Sequence, residues 1–406
     1  MTSPQAVSLN ARRARAGVTA LFFTNGALFA NFAPRFPELK DAFQLSPEQY
    51  GLLLAAFPLG AMIAGPFAAK LVNKLSSARL ASYGTAVIAV MITLAAGLVG
   101  LAQGGGAILV IPFALLFFLG GGADAVVDVG QNAHGLRVQK LYGRSIINGF
   151  HAFWSLGAMT GGLMAMGAKA LEIPIMYHIG GAGILFTVMA LVARRFTLSG
   201  PERSAEEEAS HSKVGVRAWS PALVISMLLV LAIAGVMVED IASSWSTLYM
   251  RDYLGAAPAI APAAYVGMLA FHFLGRLTGD SFVERLGAKL TIRLGGLLMI
   301  LGMGAAVFFQ NPVVTVIAFA VSGFGAATTV PLAMNAADDI DGLAPGVGLT
   351  IVSWLMRLTF LLVPPLVGAL VSATSLLASI AILPIAGVFI IASTVVLAPR
   401  AAGRTQ

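Results

Sequence analysis

The sequence predicts an all-α polytopic membrane protein with twelve transmembrane helices in two six-helix halves, and three observations predict it. Hydrophobic residues make up 58% of the 406-residue chain and charged residues only 11%, roughly half the charged share of soluble domains; the mean hydropathy is +0.87. The apolar runs are continuous and about 20 residues long, enough to cross about 30 Å of hydrocarbon as helix, and they lack the alternation of barrel strands. One hydrophilic stretch, "RRFTLSGPERSAEEEASHSKVGVR" at 194–217, divides the runs six and six.

The elements follow in order. The first span, 17–36, comes after "ARRARAG", which has a twin-arginine flavour; no A-x-A cleavage site follows in the next two dozen residues, so it reads as a retained helix carrying Asn25 and Asn31. Spans at 48–71 and 79–101 are apolar with basic residues between them, and the fourth, 107–131, carries Asp124 and Asp128. The fifth, 145–168, holds His151 and Trp154, and the sixth, 174–194, closes an N-terminal bundle of residues 1–193. After the 194–217 link, a C-terminal bundle of residues 218–406 begins with a span at 218–241 that ends on Glu239 and Asp240. The eighth, 262–282, contains His272, Arg276 and Asp280; the ninth runs 290–309 and the tenth 313–335, ending on Asn335. The eleventh, 346–370, contains Trp354 and Arg357, and the twelfth covers 376–397.

Alternating these segments from a cytoplasmic N-terminus puts nineteen basic residues on one side and four, Arg35, Lys40, Lys169 and Arg251, on the other; Arg276 and Arg357 fall inside spans. The positive-inside rule then places both termini and the link in the cytoplasm. This bias accounts for the net charge of +7 without a nucleic-acid partner, and the absence of cysteine excludes disulfides and thiolate chemistry.

Sliding the chain by 203 residues sets "GGGADAVVDVGQNA" (120–133) on "GFGAATTVPLAMNA" (323–336), with six identities in fourteen, including Asn132 on Asn335. Such duplication marks secondary transporters. Ala327 and Pro331 stand opposite the two aspartates, so the acids belong to the N-terminal half alone.

An Asp at the centre of a membrane helix costs about 2.5–3.5 kcal/mol, so it faces a cavity or a partner. Asp124, Asp128 and Asn132 are spaced i, i+4, i+8 on one helical face. In a span entered near residue 107, Asp124 lies in the inner half and Asp128 close to the cytoplasmic edge, where it either pairs with Arg137, Lys140 or Arg144 or titrates within a cavity. Arg357, about eleven residues into its span, is too deep to snorkel and needs an anionic partner or ligand, with Asp124 or Asp128 as candidates. Trp154 and Trp354 are candidates to stack on a ring, whereas Trp245 and Tyr249 serve equally well as interfacial anchors. His151 and His272 either relay protons or pack with hydrogen bonds. The runs "GGGA" and "GAMTGG" read as close helix packing, since neither has the lysine and Ser/Thr of a phosphate loop.

Four stretches, "PRFPELKDAFQLSPEQYGLLLAAFPLGAMIAGP" (34–66), "DVGQNAHG" (128–135), "EDIASSWSTLYMRDYLG" (239–255) and "GRLTGDSFVERLG" (275–287), together with the span pattern, resemble the major facilitator superfamily. More narrowly, they resemble a bacterial branch of inner-membrane transporters related to fucose:proton symporters. That branch includes membrane proteins encoded with rhizopine (methylated inosamine) metabolism. Two departures stand out. "GPFAAKLVNKLSSAR" lacks the acid and glycine of the family's G-x-x-x-D-R-x-G-R-R loop, which Asp280, Arg285 and Gly287 retain better, and "SWLMRLTF" replaces a glycine and an aromatic in span eleven.

The resemblance implies the major facilitator fold and secondary active transport of a small polar solute, a sugar, polyol or amino-polyol such as a rhizopine-like inositol derivative, coupled to protons by alternating access. In fucose-type symporters an acid in span four precedes an asparagine by four residues. That relation makes Asp128 the implied proton site and Asp124 a substrate or ion-pair ligand, with the two roles exchangeable. Asn132, Asn25, Asn31, Trp154, His151, Glu239, Trp354, Arg357 and Asn335 are the implied substrate contacts, and Arg276, Asp280 and Arg285 the gate. The expected setting is a monomer in the bacterial inner membrane, surrounded by lipid, with no cofactor, metal or nucleic acid. An efflux pump for cationic or apolar compounds is the competing reading. An enzyme is disfavoured, because no nucleophile-base pair, metal-ligand cluster or nucleotide motif occurs in the sequence.

Overall fold

The computed structural model describes residues 8–102, 106–143, 146–199, 216, 219–338, 340, 342–344 and 346–397. Among them no strand forms. The α-helices are α1 (Leu9–Phe32), α2 (Phe36–Ala42), α3 (Pro47–Leu54), α4 (Ala56–Leu75), α5 (Ser77–Leu101), α6 (Val110–Tyr142), α7 (Ile147–Ala170), α8 (Ile175–Arg194), α9 (Pro221–Ile241), α10 (Ala263–Leu286), α11 (Ala288–Phe309), α12 (Pro312–Ala326), α13 (Thr329–Asp338), α14 (Val347–Ala373) and α15 (Ala378–Ser393).

Ten helical stretches among the described residues are long and apolar enough to cross a membrane. The helices at the fifth and eighth predicted spans, α7 and α10, are 24 residues each. α7 carries His151 and five glycines, and α10 carries His272, two acids and two arginines. This is an all-α polytopic membrane protein.

Of the boundaries that differ from the sequence expectation, three bear on the fold. The first span breaks at Ala33–Arg35, where a 3-10 turn around Pro34 redirects the chain into α2. The tenth divides between α12 and α13 at Ala327, four residues before Pro331, whose ring opposes the carbonyl at that position and which has no N–H to bond it. The seventh does not stop at residue 241: it continues as π-helical turns over Ala242–Ser246 and Tyr249–Tyr253, a backbone form frequent at functional sites.

The Cα positions group into two compact units, Met1–Ser46 with Leu53–Glu208, and Pro47–Leu52 with Ala209–Gln406. In the first, α1 packs along α7, α4 along α6, and α5 along α6 and α8. The glycine runs allow this: a Cβ at Gly26 would fall on the Trp154 carbonyl oxygen, and one at Gly121 on that of Phe57. Phe113 and Phe117 of α6 anchor an aromatic cluster with Phe32, Phe36 and Phe57. At the end of α7, Glu38 holds two cations. Arg35 Nε lies 2.5 Å and Lys169 Nζ 3.5 Å from its Oε1, and Arg35 also donates to the Ile173 carbonyl at 3.0 Å.

In the second unit α10 packs along α12, α11 along α12 and α15, and α9 against α13, α14 and α15. The Pro47–Leu52 segment groups with this unit. Its Tyr50 is fully buried, donates its hydroxyl to the Ser244 carbonyl at 2.5 Å, and sets its ring edge-on to Trp245 with centroids 5.1 Å apart.

Candidate functional site

In the first unit three helices bring three of the sequence-predicted residues into one hydrogen-bonded chain. Trp154 of α7 donates its indole N–H to Asn25 Oδ1 of α1 at 2.8 Å, and Asn25 Nδ2 donates to Asp124 Oδ1 of α6 at 2.8 Å. The direction is enforced chemically. An indole nitrogen only donates, so the Asn25 oxygen faces it and the amide NH2 is left for the acid. The α1/α7 crossing at Gly26 makes this reach possible, because the residue next to Asn25 has no side chain to hold the helices apart. Asn25 is 8% exposed, while Asp124 and Trp154 are half-buried, so the acid is held in place and stays accessible.

Asp128 and Asn132 follow on the same face of α6. Asn132 Nδ2 donates to Asp128 Oδ1 at 3.0 Å and to the Asp128 backbone oxygen at 2.9 Å. α6 runs on past the predicted end of the fourth span, to Tyr142. Fourteen residues, 129 to 142, follow Asp128 in the same helix. Arg137 and Lys140 lie about 13 and 18 Å further along the helix, beyond the reach of Asp128, and Arg144 lies outside the described residues.

Asn31 does not join Asp124. It lies one and a half turns further along α1, with its Oδ1 2.9 Å from His178 Nε2 of α8 and its Nδ2 on the Ala27 carbonyl at 2.8 Å. His151 sets its ring edge against Phe22, centroids 5.2 Å apart.

Sequence reasoning did not single out His178, Gln131 or His134. Gln131 donates to the Leu21 carbonyl of α1 at 2.9 Å. His134 is fully buried and uses both ring nitrogens: Nε2 accepts from the Leu198 backbone N–H at 3.1 Å, and Nδ1 lies 2.8 Å from Ser77 Oγ. A backbone N–H can only donate, so the neutral ring carries its proton on Nδ1 and gives it to Ser77. The available signal was a glutamine and a histidine continuing the polar run "DVGQNAHG" into a helix that is otherwise apolar.

In the second unit Glu239 of α9 and Arg276 of α10 are charge partners, with Asp240 and Tyr265 beside the carboxylate and His272 beside the guanidinium. Arg276, expected among the gate residues, therefore faces the residue expected to bind substrate. His272 and Asp240 are buried, and both His272 ring nitrogens and Asp240 Oδ2 have no hydrogen-bond partner among the described residues. Asp280 and Arg285 lie exposed further along α10, Asn335 is half-buried on α13, and Trp354 and Arg357 are exposed on α14. Trp245 and Tyr249 are fully buried, the former against Tyr50 and the latter stacked on Tyr253 at 5.1 Å.

Comparison with known proteins fits this arrangement. The sequence model described as "Major Facilitator Superfamily" matches residues 18–345. Among curated proteins, the uncharacterized transporter y4wD of Sinorhizobium fredii is 29% identical over 325 residues, 79% of this chain and 81% of the relative. The membrane protein MosC of Rhizobium meliloti is 24% identical over 366 residues, 87% and 83% of the two chains. Among solved structures, the nucleoside transporter NupG superposes with a TM-score of 0.69 at 11% identity, covering 96% of this chain and 98% of its own. FucP in the outward conformation gives 0.59 at 16% identity, with 93% and 97% covered.

Proposed function

Because this chain belongs to the Major Facilitator Superfamily, we propose that it is a proton-coupled secondary transporter of a small polar solute in the sugar, polyol or amino-polyol class, working by alternating access. It is a multi-pass membrane transporter of that type; the solute and the coupling are our reading. The observation that carries the reading is the Trp154–Asn25–Asp124 chain. An indole, an amide and a carboxylate, locked in order and partly accessible, offer a ring face and directional acceptors to a hydroxylated molecule.

Two acids one turn apart on α6 divide the work. Asp124, already oriented by Asn25, binds the solute. Asp128, bonded within its own helix to Asn132, takes up and releases the proton. Within the second unit, the buried polar atoms of Asp240 and His272 and the Glu239–Arg276 pair form a polar group of their own. One structural neighbour, NupG, is a nucleoside transporter, and a nucleoside is a hydroxylated solute. The inner membrane, with both termini in the cytoplasm, is the setting we propose.

The test is uptake by the purified protein in proteoliposomes with labelled inositols, amino-inositols, hexoses and nucleosides, under an imposed proton gradient. Concentrative uptake of one class, collapsed by a protonophore, is expected. A rate unchanged after collapse removes the coupling. Altered resistance to toxic cations on deletion, with growth on every carbon source intact, transfers the assignment to efflux of cationic or apolar compounds.

A further inference from the structure

A groove of about 820 Å³ opens on the first unit between α4, α5 and α6, away from the Asp124 chain. Its volume is that of sites that hold discrete small ligands. The floor is built of small residues, Gly60 and Ala64 of α4 and Gly122 and Ala123 of α6. The walls are large and apolar, among them Ile63 at 52% and Val87 at 47% exposed. One end differs from the rest. Arg79, in the first turn of α5, and Arg194, in the last turn of α8, both line it. Arg194 is set in place by Tyr83, bonding its hydroxyl and lying 4.5 Å above its ring.

Along α5 the stripe Arg79, Tyr83, Val87, at i, i+4, i+8, passes from cationic to amphipathic to apolar over about 12 Å. That gradient matches a membrane lipid from headgroup to chain. We infer that this groove binds one anionic phospholipid of the leaflet on the Arg-rich side, its phosphate between Arg79 and Arg194 and an acyl chain along Ile63, Ala123 and Val87. The Tyr83 oxygen accepts from Arg194, so its own O–H is left to donate to a phosphate oxygen. The N-terminal end of α5 adds its positive dipole at the same place. Charge complementarity selects this occupant: a neutral sterol or detergent leaves two arginines unanswered, and a free phosphate leaves the apolar length bare.

The full chain, exchanged into mixed micelles holding equal phosphatidylglycerol and phosphatidylcholine of identical acyl chains, is measured by native mass spectrometry. Wild type retains one phosphatidylglycerol in preference. Each arginine contributes roughly fivefold, so Arg79→Gln,Arg194→Gln brings retention to near parity. Ala123→Phe, which fills the floor and leaves the charges, lowers retention of both lipids. Circular dichroism and a single gel-filtration peak show that each variant is folded. Should the double variant misfold, Arg79→Gln alone lowers the preference about fivefold. An unchanged preference in the folded arginine variants, or full retention in Ala123→Phe, overturns the proposal, as does displacement of the lipid by millimolar inorganic phosphate.

Discussion

Asn25 and Asp124 lie ninety-nine positions apart in the sequence and 2.8 Å apart in the protein, amide nitrogen to carboxylate oxygen. Asn25 is the middle member of its chain, so its loss removes one hydrogen bond on each side. Asn25→Ala is expected to cost about 2–3 kcal/mol, since a half-buried donor and a half-buried acid each lose one hydrogen bond. Trp154→Phe, which removes one donor and keeps most of the ring, costs about 1 kcal/mol. Thermal unfolding in detergent ranks the two, and equal losses would show that Asn25 is not the hub.

Asp128→Asn is expected to abolish gradient-driven accumulation while solute exchange between equal pools continues. Asp124→Asn is expected to weaken binding itself, raising KM or removing exchange. Full concentrative uptake by Asp128→Asn would refute the division of labour, and counterflow measured beside net uptake separates the two cases.

Tyr50 makes two separable contributions. Tyr50→Phe deletes the hydroxyl bonded to the Ser244 carbonyl and keeps the ring on Trp245, at about 1 kcal/mol. Tyr50→Ala also empties a fully buried aromatic site, at about 3–5 kcal/mol. A chemical-denaturation series that finds the two variants alike would show that the ring packing contributes nothing.

Glu38→Gln strips the carboxylate from Arg35 and Lys169. The Arg35 side chain is only 5% exposed and Glu38 is 29% exposed, so the loss is expected at about 2–3 kcal/mol, below the figure for a fully buried pair. Glu38→Asp, which keeps the charge on a shorter stem, is expected to lose less. Melting temperature at low and high salt provides the measurement. Wild type falls with salt more than Glu38→Gln does.

Much of this architecture was legible because the bilayer imposes it. Long apolar runs become helices wherever backbone groups have no water to bond, and the glycine runs read as packing are packing, as Gly26 and Gly121 show. Helix ends were less legible. Hydropathy fades after residue 131, yet α6 continues to Tyr142, because beyond that point a helix is held by its neighbours. Gln131 and His134 bond α1, α5 and the backbone after α8 there.

The site was legible in its members and illegible in its pairings. Spacing put Asp124, Asp128 and Asn132 on one face, since one helix determines that. Nothing in the chain's order tells Asn25 to meet Asp124 and Asn31 to meet His178, because those partnerships depend on which helices cross and how closely. The charge pattern shows the same division. Four basic residues fell on the wrong side of the positive-inside bias, and three of them, Arg35, Lys169 and Arg251, turn out to sit beside acids, Glu38 and Asp252.

The ring of His134 has a mechanical consequence. One nitrogen grips the backbone at Leu198, near the start of the hydrophilic link, and the ring belongs to the helix that bears both aspartates. The start of the link is therefore a tether tied to α6. A lengthwise slip or roll of that helix tugs on the tether, and a load on the link is delivered to the helix through this imidazole and through Arg137, which donates to the Ser199 carbonyl at 3.0 Å.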